Sequence, residues 1–151
     1  MFVGGMQIKA KLAFFITLLA IGLLLPMSAM ALSDSDKAVI KLTVSTALNG
    51  SGNFNYVKSE IDDENNLEIW YVPKDTDSNA TVSALGLVIG SYLGATGSYP
   101  DISDAYIFIG TQEDEKGSFS CLRSWIPNGE MTDEELTTLV LKVLETFKDL
   151  S

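Results

Sequence analysis

Residues 131–150, MTDEELTTLVLKVLETFKDL, carry the most regular pattern in the chain. Thr132 and Glu135 have the spacing of a capping box, and Met131 and Leu136 occupy the positions of a hydrophobic staple. Apolar residues then recur at helical spacing on one face, namely Leu136, Leu139, Val140, Val143, Leu144, Phe147 and Leu150. The stretch therefore predicts an amphipathic helix that runs to Leu150 and packs on a core.

Two pairs of alternating segments precede this helix and predict two β-hairpins. The first pair covers residues 54–61 and 67–72, and the second covers residues 105–111 and 118–126. Each pair is separated by a polar, acidic turn. Alternation of apolar and polar residues is typical of strands that bury one face, so each pair is predicted to be antiparallel.

Residues 79–95, between the hairpins, predict an uncharged helix that is apolar on nearly every side. Such a helix is usually buried on more than one side. Gly86, Gly90 and Gly94 form a ridge along it, and each costs roughly 1 kcal/mol relative to alanine. We therefore expect another backbone to approach this ridge closely. The ridge would also suit a membrane span, but the interspersed polar residues and the flanking strands favour a helix packed on the sheet or on a partner.

Residues 37–48 fit either a helix or a strand. β-branched residues favour the strand, whereas Asp34 and Asp36 before the segment and Gly50 after it favour the helix, which is the interpretation adopted. The predicted order is then α-β-β-α-β-β-α. It indicates an α+β fold, with a four-stranded, mainly antiparallel sheet and helices chiefly on one face.

The N-terminus has the three parts of a secretory signal. Lys9 and Lys11 precede the uncharged stretch 12–25, LAFFITLLAIGLLL, and Ala29-Met30-Ala31 supplies a small-residue cleavage site. We therefore predict a signal peptide over residues 1–31 and a single small acidic domain over residues 32–151.

An uncleaved membrane anchor is the alternative for this segment, because a run of roughly 20 uncharged residues can span a bilayer. Lys9 and Lys11 keep the N-terminus in the cytoplasm in both cases. The domain is then secreted or otherwise extracytoplasmic, and it touches the membrane only through this segment.

Charge and composition exclude several classes of function. The chain has 20 acidic and 10 basic residues, and two of the basic ones lie in the leader, so residues 32–151 carry 8 − 20 = −12. A surface this acidic repels phosphate backbones, which excludes nucleic-acid binding. Cys121 is the only cysteine, so no internal disulfide forms, and we expect it to be buried beside Phe119 and Trp125. The chain has no histidine, which removes the commonest acid/base and zinc chemistry.

A weak calcium signal lies before the central helix. Asp75, Asp77 and Asn79 match the first three oxygen ligands of a calcium loop. The glycine expected at position 6 is Ala80, and the glutamate expected at position 12 is Gly86. The alternative is a solvated turn whose side chains cap the next helix.

The sequence thus predicts an exported, non-enzymatic domain that binds a protein or surface component. The partner is another molecule or, in a homodimer, a second copy of the chain. It is expected to bind on the open sheet face or on the glycine ridge. The predicted interface residues are Gly86, Gly90, Gly94, Trp70 and Tyr56. Arg123 is expected to pair with an acid or to mark a sheet edge. The alternatives are a calcium-stabilised module and a hydrolase that uses two carboxylates.

Overall fold

The computed structural model describes residues 32–50, 52, 54–75, 77–127 and 130–151, and the predicted signal peptide lies outside them. The described chain forms an α+β fold. Its helices are α1 (Asp34–Leu48), α2 (Ser78–Ser98) and α3 (Asp133–Leu144), with a 3₁₀ turn over Arg123–Trp125. Its strands are β1 (Phe54–Ile61), β2 (Leu67–Pro73), β3 (Ala105–Thr111), β4 (Asp114–Cys121) and β5 (Lys148–Asp149).

The five strands form one mixed sheet in the order β1-β2-β3-β4-β5. The central strands β2 and β3 are parallel, with Leu67 opposite Ala105, and the other pairs are antiparallel. The α+β class is confirmed, but the predicted sheet lacked the parallel pair and the fifth strand. A parallel pair requires a crossover connection, which α2 supplies. In β1 the register shifts between Tyr56 and Lys58, which places a bulge at Val57.

Side-chain caps begin all three helices. The Ser33 hydroxyl accepts from the Asp36 amide at 3.0 Å, which confirms a helix where the sequence was ambiguous. Thr132 and Glu135 form the predicted capping box, with reciprocal hydrogen bonds of 3.1 and 2.8 Å. Each cap satisfies amides that have no partner within the helix.

The last helix is shorter than predicted. It ends at Leu144, and residues 148–149 form β5 along β4. The Thr146 hydroxyl accepts a hydrogen bond from the Ser120 amide at 2.8 Å. The Phe147 ring then packs on Phe119, with 5.2 Å between centroids. These contacts draw the chain toward the sheet, so Phe147 and Leu150 do not continue the helical face.

The second hairpin also differs from the prediction. Its turn is only Gln112 and Glu113, and β4 ends at Cys121 instead of residue 126. Gly110 has φ +114, a conformation that side chains other than glycine rarely adopt. It lies at a register shift that allows the short turn. Trp125 lies on the 3₁₀ turn beyond the strand, so it does not share a strand face with Phe119.

All three helices pack on the same face of the sheet. The strand residues in this core alternate along their strands: Leu67, Ile69 and Tyr71, then Ala105 and Ile107, then Phe119 and Cys121. The buried helix residues include Ile40 and Val44 of α1, Leu85, Val88, Ile89 and Tyr92 of α2, and Leu139 and Val143 of α3. The prediction that the helices lie chiefly on one face agrees with this core.

A buried polar network joins the β1–β2 turn to the start of β3. The Asn66 side chain donates to Asp62 Oδ2 at 3.0 Å and accepts from the Asp104 amide at 3.1 Å. Asp104 Oδ1 accepts from the Arg123 amide at 2.7 Å, which ties the 3₁₀ turn to the same point. One asparagine thus connects segments that are far apart in sequence.

Asn66→Ala is expected to lower the free energy of unfolding by about 1–3 kcal/mol, because it leaves the Asp104 amide without its acceptor. Asp63→Ala, in the same turn but exposed, should change it by no more than about 0.5 kcal/mol. Urea denaturation measures both. Equal stability of the two variants would contradict a structural role for this network.

Candidate functional site

The predicted glycine ridge lies on the outward face of α2. Gly90 and Gly94 are exposed and Gly86 is half-buried. Val82 and Leu87 flank the ridge, with 41% and 45% of their surfaces exposed. The inward face packs on the core, so α2 is buried on one side and not all round. The outward face carries no charged residue along the helix.

The close approach expected at the ridge is not made within the described fold. A Cβ placed on Gly86, Gly90 or Gly94 meets no described atom within 4 Å, apart from the helix itself. Packing inside the domain therefore does not explain why these three helix positions hold glycine instead of alanine, which has a higher helix propensity.

Among the described residues, α2 is one helix whose length and apolar composition would allow it to cross a membrane. These criteria are also met by the core helix of a soluble protein. Here α2 contributes Leu85, Val88 and Ile89 to the core. Its role as the crossover between β2 and β3 accounts for its apolar character.

Trp70 lies on the sheet face opposite the helices, yet only 2% of its surface is exposed. Its ring stacks on Phe108 with centroids 5.0 Å apart, and the Lys58 ammonium lies 5.5 Å from its centroid. The indole Nε1 donates to Glu115 Oε2 at 2.9 Å. The ring is therefore already occupied by intramolecular contacts, and it offers little surface to a partner.

Tyr56 lies on the other side of the sheet from Trp70. Tyr56 pairs with Tyr71 and packs against the helix-side core, whereas Lys58 pairs with Trp70. The Tyr56 hydroxyl is 2.8 Å from the Ser59 hydroxyl. The structure thus does not bring the two predicted interface aromatics together.

The residues of the calcium hypothesis lie at the start of α2. Asp77 is its N-cap, and Asp77 Oδ1 accepts from the Ala80 amide at 2.8 Å. Asp75 Oδ1 accepts from the Asp77 amide at 3.2 Å. Asn79 is exposed in the first turn. Two of the proposed oxygen ligands thus serve the backbone, and calcium binding stays a prediction.

Two acids that face each other on β1 and β2 have pKa values displaced in opposite directions. Burial acts to raise the pKa of Glu60, but hydrogen bonds from Lys41 and Lys58 outweigh it and hold that pKa below its usual value. Burial, with the negative charges of Asp62 and Glu115, raises the pKa of Glu68.

Opposed pKa values are what a general acid and its partner need, and Glu60 lies directly opposite Glu68 in the register. However, a cavity of about 290 Å³ beside Glu60 is lined by Lys37 and Lys41 and not by Glu68. The pair therefore does not share that cavity, and the hydrolase stays an alternative.

A cavity of about 580 Å³ lies between the end of α2, the 3₁₀ turn and the start of α3. Arg123 lines it, together with apolar residues from all three segments. The sequence analysis missed this cavity, because Arg123 was assigned to a strand and the walls come from separate parts of the chain. The sequence did hold one signal. Arg123 is a lone arginine among apolar residues, which is unusual in a chain with an excess of acids.

Cys121 is fully buried in the core, as expected. Burial, reinforced by the negative charge of Asp104, raises the pKa of its thiol to about 12. The thiolate that a nucleophile needs is thus scarce at neutral pH.

Comparison with protein-family models gives no match, and searches of curated proteins and of solved structures likewise give no significant match. The comparisons therefore carry no functional information, and the site residues are the guide to function.

The Cys121 thiol is expected to make the fold less stable in alkali. Its pKa is about 12 in the folded chain and about 8.5 in an unfolded chain. Between these values the unfolded state holds fewer protons, so stability falls as pH rises, by about 1.4 kcal/mol per unit.

From pH 7 to pH 10 the wild type should therefore lose about 2 kcal/mol more stability than Cys121→Ala, because pH 10 is ~1.5 units above the unfolded pKa. Urea denaturation at both pH values measures the difference. Parallel losses in the two proteins would show that this thiol does not control alkaline stability.

Proposed function

We propose that this chain is an exported, non-enzymatic domain that binds a protein partner through the outward face of α2, and that the partner is a second copy of the chain. Two α2 helices would cross at Gly86, Gly90 and Gly94. The absence of side chains there lets the two backbones approach closely.

The observation that carries this proposal is the open glycine ridge. No described atom covers it, and exposed Val82 and Leu87 border it. Small residues at four-residue spacing allow close helix–helix contact, which gains packing energy across a narrow seam. Exposed apolar side chains beside the seam would be buried in the same step.

Charge favours this face over the rest of the surface. Residues 32–151 carry a net charge of −12, so two copies repel each other at most orientations. The 21-residue helix α2 has no charged residue, so contact along it brings no charged side chain of the helix itself into the seam. The open sheet face suits a partner less well, because Trp70 is 2% exposed and Glu68 lies beside it.

The start of the compact fold supports the exported form. The compact unit that the described residues form begins at Leu32. The Leu32 side chain is buried, and Ser33 caps α1. Cleavage after Ala31 would thus leave a chain whose first residues already belong to the fold.

Gly90→Leu is expected to weaken self-association at least tenfold, because a leucine fills the seam between the helices. It should not destabilise the domain, since space is open there and the loss of glycine gains roughly 0.5–1 kcal/mol of helix stability. Sedimentation equilibrium over a range of concentrations measures the mass, and urea denaturation measures stability.

Ala47→Leu is the control for Gly90→Leu, because it adds leucine at an exposed position of α1. This variant should associate as the wild type does. A wild-type mass that stays monomeric at every concentration would contradict the homodimer.

The mature protein is expected to begin at Leu32. Intact mass and N-terminal sequencing of the protein recovered outside the cytoplasm of a bacterial expression host would check this. Ala31→Arg should block cleavage, because signal peptidase reads small residues there. Recovery of the uncut chain in the cytoplasm would refute the export proposal.

A further inference from the structure

The cavity between α2, the 3₁₀ turn and α3 has the size and lining of a small-molecule site. Its volume of about 580 Å³ is within the ~300–1,000 Å³ usual for such sites. The apolar walls come from separate segments. Glycines form part of the wall on α2, and they have no side chains to fill the cavity. The wall residues include Leu93, Gly94, Gly97, Ile126, Met131 and Leu136.

Arg123 is the only arginine in the chain. Its Nε is buried without a hydrogen bond. The described ion pairs all involve lysines: Lys41 and Lys58 with Glu60, and Lys116 with Asp114. Buried donors in folded proteins nearly always have an acceptor, so an unpaired one calls for an explanation.

We propose that this cavity binds a small carboxylate that carries an apolar body, with the carboxylate on Arg123 and the apolar body against α2 and α3. A guanidinium can donate two parallel hydrogen bonds to a carboxylate through its two terminal nitrogens. Arg123 lines the cavity and takes part in none of the described ion pairs, so the ligand would supply its counter-ion, and the apolar walls would bury the remainder.

The surroundings of Arg123 restrict the ligand to one negative charge. Glu130 also lines the cavity, is exposed and makes no described ion pair with Arg123. A dicarboxylate or a polyphosphate would place a second negative charge in a cavity that already holds Glu130, whereas a monoanion meets one cation and an apolar wall.

The neighbouring cavity provides a matched control for the cation. It has a volume of about 510 Å³ and shares Pro127 and Met131 with the first cavity. Its cation, Lys142, lies 4.7 Å from the centroid of the Trp125 ring, so it is already engaged. Removing Lys142 thus changes the net charge of the protein by the same amount as removing Arg123, but it leaves the Arg123 cavity intact.

Decanoate is the first probe, with decan-1-ol as the neutral analogue of similar length. The second pair of probes is acetyl-Leu-Phe with a free C-terminal carboxylate and the same dipeptide as its C-terminal amide. Comparison of the two pairs distinguishes a peptide terminus from a fatty acid as the source of the carboxylate. Titrations monitored by ¹H–¹⁵N NMR locate binding, because Gly94 and Gly97 line the cavity and their amide signals report on their surroundings.

The titrations use the Gly90→Leu protein, so that self-association does not compete at Gly94. Arg123→Met keeps the apolar stem and removes the guanidinium, and Lys142→Met is the control. Circular dichroism and melting temperature confirm that each variant is folded.

At least one carboxylate is expected to bind saturably and to shift Gly94 and Gly97. It should bind roughly tenfold or more tightly than its neutral analogue, as one charge-assisted pair provides. Arg123→Met should remove this preference and Lys142→Met should keep it. Equal binding of carboxylate and neutral analogue, unchanged binding by folded Arg123→Met, or no saturable binding of either carboxylate would overturn the proposal. The α2 dimer is tested separately, by the mass of the wild-type protein.

Discussion

Helix α2 packs its inward side on the parallel strands β2 and β3, and the rest of the described domain depends on this contact. The chain has a single cysteine, so no disulfide can join its parts, and stability must come from burial. Residues Leu85, Val88, Ile89 and Tyr92 of α2 are fully buried in the core. Because α2 also connects the two strands, the same helix sets both the topology of the sheet and the core beneath it.

The two sides of α2 follow different physical demands. The inward side carries large apolar residues that fill the space above the sheet. The outward side carries Gly86, Gly90 and Gly94, which contribute nothing to the core and weaken the helix. A sequence selected for the fold alone would gain stability from alanine at these positions, and this unexplained cost is the reason for proposing a contact there.

Local features of the sequence predicted their structures well, and features that depend on distant segments did not. The capping box at Thr132 and Glu135 and the hairpin of β1 and β2 need only neighbouring residues, so their patterns were sufficient. The parallel pairing of β2 with β3 involves strands separated by α2, which no local pattern reports. The end of α3 depends on contacts of Thr146 and Phe147 with β4. The surroundings of Arg123 likewise come from three separated segments, so the cavity was not visible in the sequence.

The bulge at Val57 has a consequence for how the domain behaves at high concentration. In the described sheet β1 is an edge strand, and a long flat edge invites pairing with the edge of another molecule. The bulge interrupts the row of unpaired amides, and Lys58, next to it, adds a charge. These are the means by which natural sheets resist fibril growth. At the β1 edge the domain is thereby protected against open-ended stacking of sheets.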